Sequence, residues 1–485
     1  MIVLLDNFLA KEEWRKYQLL KKVERSPYFA LTKKELSDDL EMSNYVLKST
    51  IDQLVLDLER FGLAKEIHLF VEEPFVQVES TGTANSDTLL ENYVKESISF
   101  HILLGASLEK FKSLNEFSEK ETISYPIAHS TYKKLNHNLK DFELQIDKKF
   151  RLTGKSEKNI RLFLTELFAR IYRGQEDIFT SSDRSLIQAK LQMFDSAHFT
   201  VHEKNNLMYY LYVTNLRIQQ KKYISEKRTA NLLIENFSQE LSDTFFRRVP
   251  DTFREAEVYA FFCYYATCSE SLDQELSPAD DSLVTAWSQD LLVSLSKIFP
   301  KIANNPENQK AFMARSRFLH FQLLETSLAY EAIQPEINII YFQQNYPALL
   351  EFCGTYVKEM QQTNPELYRK KKQVLFQYLF LILDAFPKNV LLETIKVYVD
   401  FSFGHLYNQF IMENIGFFHQ VGAEITTTIT EADILLTDSR ELGSLYKKEC
   451  IVWLAPPRPL DWANLGQKII QKRADTEREI RKTKQ

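Results

Sequence analysis

The sequence predicts a mainly α, multidomain protein that closes with a small α/β domain. Three observations carry that expectation. Gly (11) and Pro (14) are scarce among 485 residues, which disfavours turn-rich β architectures and favours long helices. Up to about residue 386, apolar residues recur mostly at three- and four-residue steps, the spacing of one helix face. After residue 391 the pattern changes to short β-branched runs alternating with helical ones, the order of a parallel sheet with crossover helices.

Residues 8–24 read as an amphipathic helix, and "LTKKELSDDL" (31–40) as a second. Thr32 is placed to cap the second, with Glu35 three residues on to complete a capping box. Ser43 caps a longer helix whose Leu47, Ile51, Leu54, Leu58 and Phe61 form an inward stripe, and Gly62 ends it. Two β-prone runs, 67–71 and 75–78, then flank Glu-Glu-Pro as a hairpin would. Helix, tight turn, helix, hairpin is the order of a winged helix-turn-helix. The plan recurs in a helical stretch over 87–112, a short helix in "NEFSEKETI", a helix over 126–142 and the alternating "LQIDKKFRLTG" (144–154) as a wing. Two such units, 1–82 and 83–157, are therefore expected.

Strong helical patterns follow, dense in aromatic residues that read as plain core. The polar run "SESLDQELSPADDS" (269–282) divides them into bundles at 158–280 and 281–391. The last domain, 392–485, is expected to hold strands at 395–402, 423–429, 433–438 and 450–455, a helix over 405–418, another from Asp461, and a charged tail that frays.

A formal net charge of −6 argues against indiscriminate coating of nucleic acid, yet from position 126 to 155 seven Lys/Arg stand against three Asp/Glu. Cys263, Cys268, Cys353 and Cys450 form no CxxC pair and have no His at zinc-ligand spacing, so they read as buried thiols of a reducing compartment. The sequence has neither a signal-peptide pattern nor an apolar run approaching the ~18 residues of a membrane span. A cytoplasmic protein with no membrane partner is expected. Neither a Gly-rich phosphate loop, a Ser-His-Asp set nor a metal cluster stands out, so no enzyme, cofactor or metal site is expected.

Over 126–142, Ala128, Thr131, Leu135, Leu139 and Phe142 line one stripe, while His129, Ser130, Lys133, Lys134 and His137 fall on the other side. That outer face is either solvated surface or a contact with the major groove of double-stranded DNA. Lys133 and Lys134 could reach phosphates or guanine edges, and Ser130 a base or the backbone. In the first unit Asn44, Tyr45, Lys48 and Ser49 are the corresponding candidates, since Asn can read adenine with two hydrogen bonds. Asp52, Asp57 and Glu59 confine any contact to that helix's N-terminal half. His198, His202, His320 and His405 are either ordinary polar or core residues or phosphoacceptors, whose added charge would repel acidic neighbours or recruit Arg.

With these parts in order, the chain resembles the Mga/AtxA family of bacterial transcription regulators, within the wider class that carries phosphotransferase-system regulation domains (PRDs). The resemblance is carried by "NFLAKEEWRKYQLLKKV", "LTKKELSDDLEMSNYVLKSTIDQL" and "AHSTYKKLNHNL", and by Leu152-Thr153-Gly154 followed by Ile160-Arg161. It implies two PRD-like helical domains and a C-terminal domain similar to enzyme IIB of the sugar phosphotransferase system. It also implies binding to promoter DNA, assembly into a homodimer or higher homo-oligomer, and phosphoryl transfer from the carrier HPr or other phosphotransferase-system proteins. Two departures stand out. Asp400 lies near the position where IIB-type domains carry a phosphorylated Cys, leaving His405 as the nearest candidate, and Tyr210 precedes Arg217 where many regulation domains carry His.

Overall fold

The computed structural model describes residue 5 and residues 8–26, 28–174, 178–192, 199–225, 245–268, 282–325, 339–416, 422–453 and 456–484. Most of the dividing run at 269–282 lies outside these. The chain is mainly helical and forms two compact units, one built on Met1–Thr229 and Leu233–Leu272, the other on Asp273–Leu324 and Glu336–Gln485. Among the described residues no helix is long and apolar enough to cross a membrane.

The first unit opens with α1 (Lys11–Glu24), α2 (Lys33–Asp39) and α3 (Asn44–Arg60). The capping signals act as the sequence implies. Thr32 Oγ1 accepts from the Glu35 amide at 3.1 Å, and Glu35 accepts in return from the Thr32 amide at 2.8 Å. Ser43 Oγ accepts from the Val46 amide at 3.3 Å, and Gly62 ends α3 at φ +70°, a left-handed turn that favours glycine. Strands β2 (Ile67–Glu72) and β3 (Phe75–Ser80) form the hairpin around a cis Glu73-Pro74 bond. A third strand, β1 (Ala30–Thr32), pairs with the other side of β3, giving the order β1-β3-β2. Three residues are too few to show an alternating pattern, so the sequence does not reveal it.

The expected stretch over 87–112 is two helices, α4 (Ser86–Glu96) and α5 (Ile98–Ser107). Ser97 breaks it: its hydroxyl accepts from the Phe100 amide at 3.1 Å, starting α5, and donates to the Val94 carbonyl at 2.9 Å, closing α4. Then come α6 (Leu114–Lys120), α7 (Tyr125–Leu139) and a short antiparallel hairpin of β4 (Leu144–Ile146) and β5 (Leu152–Gly154). Behind them pack α8 (Glu157–Tyr172), α9 (Ser181–Leu191), α10 (Val201–Gln219) and the helix Asp251–Cys268. One hydrophobic core runs through this whole unit, from Leu5 to Tyr265.

At the back of the second hairpin lies a buried network of charges. Arg161 and Arg217 are each 1% exposed. Arg161 donates to both carboxylate oxygens of Glu257, at 2.6 and 2.7 Å, and its Nε to Glu157 at 3.3 Å. Arg217 grips Glu157 through Nε at 2.8 Å and Nη2 at 2.7 Å, and its Nη1 reaches the Leu152 carbonyl of β5 at 3.5 Å. Gln220 accepts from Arg217 at 3.2 Å and donates to the Ser107 carbonyl at the end of α5 at 2.9 Å. Three helices and the second wing therefore share one set of charge-assisted hydrogen bonds.

The second unit has two separate cores. One gathers helical residues from Leu291 to Leu392, the other residues of the last domain from Ile395 to Ile469. That domain carries a four-stranded parallel sheet in the order β7-β6-β8-β9, with β6 at Ile395–Asp400, β7 at Ala423–Ile425, β8 at Ile434–Thr437 and β9 at Glu449–Val452. The strands expected at 423–429, 433–438 and 450–455 are thus shorter, and a helix at Arg440–Tyr446 was not expected. The charged tail departs from the frayed end expected of it: the helix Pro459–Lys484 runs through it, and Arg473 within it is buried and donates to the Asn345 carbonyl.

Candidate nucleic-acid interface

In the second helix-turn-helix, α6 and α7 meet through a tight turn held by Ser118, whose hydroxyl donates to the Ile123 carbonyl at 2.5 Å. Ala128, Leu135, Leu139 and Phe142 are buried, as their spacing implies, while Thr131 is only half-buried. Ser130, Lys133, Lys134 and His137 are exposed on the opposite face; His129 is half-buried and stacks on Tyr125 at 5.6 Å. Ser124 makes no side-chain cap, so the first amides of α7 have no hydroxyl or carboxylate at their end, where the helix dipole favours a phosphate.

The wing is locked to this helix. Asn136 bonds the Ile146 backbone twice, accepting from its amide at 2.7 Å and donating to its carbonyl at 3.1 Å, and Tyr132 donates to the same carbonyl at 2.8 Å. The wing tip is also fixed. Asp147 accepts from the amides of Lys149 (2.8 Å) and Arg151 (2.9 Å), and the Phe150 ring plugs the core against Phe117 at 5.5 Å and Phe111 at 6.0 Å. Lys148 and Lys149 are thereby held outward on a rigid loop. Among the described residues, Lys133, Lys134, Lys148 and Lys149 form no ion pair, whereas Lys120, Arg151 and Lys155 are each within 4 Å of a carboxylate. Four unpaired cations on two rigidly joined elements suit a polyanion. The "DKK" turn could have signalled Lys148 and Lys149 from the sequence; the Tyr132 and Asn136 clamps depend on tertiary contacts that leave no such pattern.

Gly154 ends the wing where β5 packs on α8. A Cβ there would stand 2.9 Å from the Glu143 carbonyl oxygen, 2.7 Å from a Leu144 methyl and 3.3 Å from Ile160. Gly154→Ala is therefore expected to push the wing away from α8 and cost about 1–3 kcal/mol. A thermal melt unchanged from wild type would show that the strand gives way freely.

The first unit is different. Asn44, Tyr45 and Lys48 are exposed at the start of α3, Tyr45 at 84%, and Ser49 is half-buried. Asp57, further along, is tied to Lys16 and accepts from Tyr93 at 2.6 Å, so it serves packing. Over residues 33–80, five Lys/Arg stand against eleven Asp/Glu, a deficit of six; over 126–155, seven stand against three, a surplus of four. The two helix-turn-helix units share a plan and differ in sign.

The candidate phosphoacceptors are scattered. His198 lies outside the described residues. His202 is exposed in the first turn of α10, and His405 is exposed at the start of the helix His405–Ile415. His320 is fully buried. Its Nδ1 lies 2.9 Å from Ser288 Oγ, which itself donates to the Val284 carbonyl, and its Nε2 lies 2.7 Å from the Tyr378 hydroxyl. Ser288 must then accept from Nδ1–H and Tyr378 must donate to Nε2, so neither nitrogen is open to a phosphoryl donor in this structure. His320→Ala would empty a core site and orphan Ser288 and Tyr378.

Burial pushes His320 down to about 3 from 6.5. The unfolded chain takes up a proton below 6.5 that the folded chain refuses, so this contribution is intact above pH 6.5 and is lost as pH falls toward 3. Between pH 7 and pH 5 the wild type is expected to lose about 2 kcal/mol through this group. His320→Gln should lack that component, and parallel urea titrations at the two pH values would check it; identical pH dependence in both proteins would refute it.

A helix and wing that present unpaired cations together suit a DNA-binding regulator. Residues 82–168 match the Mga helix-turn-helix domain. The match covers α4 to α7, the second wing and most of α8. No curated protein matches the chain.

Proposed function

We propose that this protein is a transcription activator of the Mga type, not an enzyme, that reads promoter DNA chiefly through α7 and the second wing. The observation that supports this most is the set of four unpaired lysines on a helix and wing fastened to each other by Asn136 and Tyr132. Ser130 and His137 lie on the same exposed face for base or backbone contacts, and the start of α3 adds Asn44, Tyr45, Lys48 and Ser49 as a second, weaker contact. Binding of duplex promoter fragments, followed by fluorescence anisotropy over a salt series, tests the reading. Log affinity should fall steeply and linearly with log salt concentration. Absence of binding to any fragment at low salt would sink it.

The regulatory part of the proposal treats the helical regions as PRD-like and the last domain as enzyme IIB-like, acting as a homodimer. Phe403, Leu406 and Phe410 are exposed together at 66%, 83% and 51% around Tyr407, an apolar surface suited to a second copy. A chain truncated after residue 391 should sediment as monomer. His202 and His405 are the exposed histidines this reading offers to phosphorylated HPr, and mass spectrometry after incubation with that carrier tests them.

A further inference from the structure

We propose that the outer face of the first wing is a docking surface for a basic protein segment bearing apolar side chains, and is not a DNA contact. In β3, Val76 and Val78 point inward and are 0% and 3% exposed. Phe75, Gln77 and Glu79 therefore point outward. The register sets Glu72 opposite Phe75, Phe70 opposite Gln77 and His68 opposite Glu79, so all six share one face. Phe70 and Phe75 are diagonal neighbours on it, 43% and 50% exposed, and the His68 ring lies 6.3 Å from Phe70. Two further exposed rings, Tyr28 and Phe29, precede β1, which pairs with β3.

Single exposed apolar residues are ordinary, but paired rings on one small sheet are the makings of an interface. The charge around them selects the occupant. Glu72, Glu73 and Glu79 are exposed at the wing tip and along the strand; of these Glu73 is paired with Lys33. Phosphates brought to this wing would meet carboxylates, where the second wing offers Lys148 and Lys149. A partner with Leu or Phe at its centre and Lys or Arg at its rim would cover the rings and meet the carboxylates. A regulator that grips DNA through its second unit would thus keep its first wing free for protein.

The test uses the full chain and two labelled synthetic 16-residue peptides with the same Leu and Phe positions, one carrying Lys and Arg between them and the other Glu. The basic peptide should bind, and the acidic one should not. Phe70→Ser with Phe75→Ser, and separately Glu72→Lys with Glu73→Lys and Glu79→Lys, should each weaken binding by ~10-fold or more while leaving the circular dichroism spectrum unchanged. The double serine variant should retain its DNA affinity. Equal binding of the two peptides, or binding unaffected by both variants, overturns the proposal. So does loss of DNA affinity in the serine variant, which would place the face on DNA, or a change in its sedimentation, which would give the face to a second copy.

Discussion

Replacing Glu257 with alanine should destabilise the first unit by about 3–5 kcal/mol, the largest single-residue effect expected in this protein. Glu257 is 1% exposed and takes both terminal nitrogens of Arg161, and its Oε1 also accepts from the Ile224 amide at 2.9 Å. Removing it leaves a guanidinium buried without its main counter-charge and an amide without an acceptor. The cost comes from those orphaned groups more than from the lost attraction. For that reason Arg161→Met combined with Glu257→Leu should recover much of the loss, since an apolar pair of similar volume needs no desolvated charge. Urea denaturation of the three proteins at neutral pH decides this. If Glu257→Ala matches wild type, or the double variant is worse than the single one, the network is not the clamp inferred from its geometry.

Changing Lys133 and Lys134 to alanine should weaken DNA binding and flatten the dependence of log affinity on log salt by roughly one to two units of slope. Lys148→Ala with Lys149→Ala should do the same from the wing. The two pairs lie on elements that Asn136 fastens together, so the fourfold variant tests whether they track one DNA backbone. All four side chains are exposed and unpaired among the described residues, so thermal stability should hold in every variant. A slope unmoved by both pairs would take α7 and the second wing off the DNA.

Much of the first unit is legible in the sequence because its signals are local. Thr32, Ser43 and Gly62 mark helix ends through bonds that span three or four residues, and the stripe through Leu47, Ile51, Leu54 and Leu58 records burial directly. The exposed face of α7 follows from the same periodicity. What escaped depends on distant partners. β1 exists because β3 is there to pair with it, and α4 and α5 part because one serine hydroxyl serves two backbones. His320 illustrates the limit: its apolar surroundings were visible, but Ser288 and Tyr378, which use up both ring nitrogens, lie 32 and 58 residues away. The contrast between the wings was present in the composition as an acidic "EEP" and a basic "DKK", yet only the sheet register shows which side chains face outward together.

The buried charges give the helices behind the second wing a say in what the wing does. Leu152 of β5, Arg217, Glu157, Arg161 and Glu257 form an unbroken relay from the wing strand to the helix Asp251–Cys268. Influence along such a relay runs both ways. An event that disfavours the paired arrangement by 1.4 kcal/mol lowers affinity tenfold when DNA requires that arrangement, and DNA in turn opposes the event by the same factor. If α7 and the second wing hold DNA as proposed, DNA is then an effector of the helical bundle, and its arrival should register as slower hydrogen exchange in Asp251–Cys268.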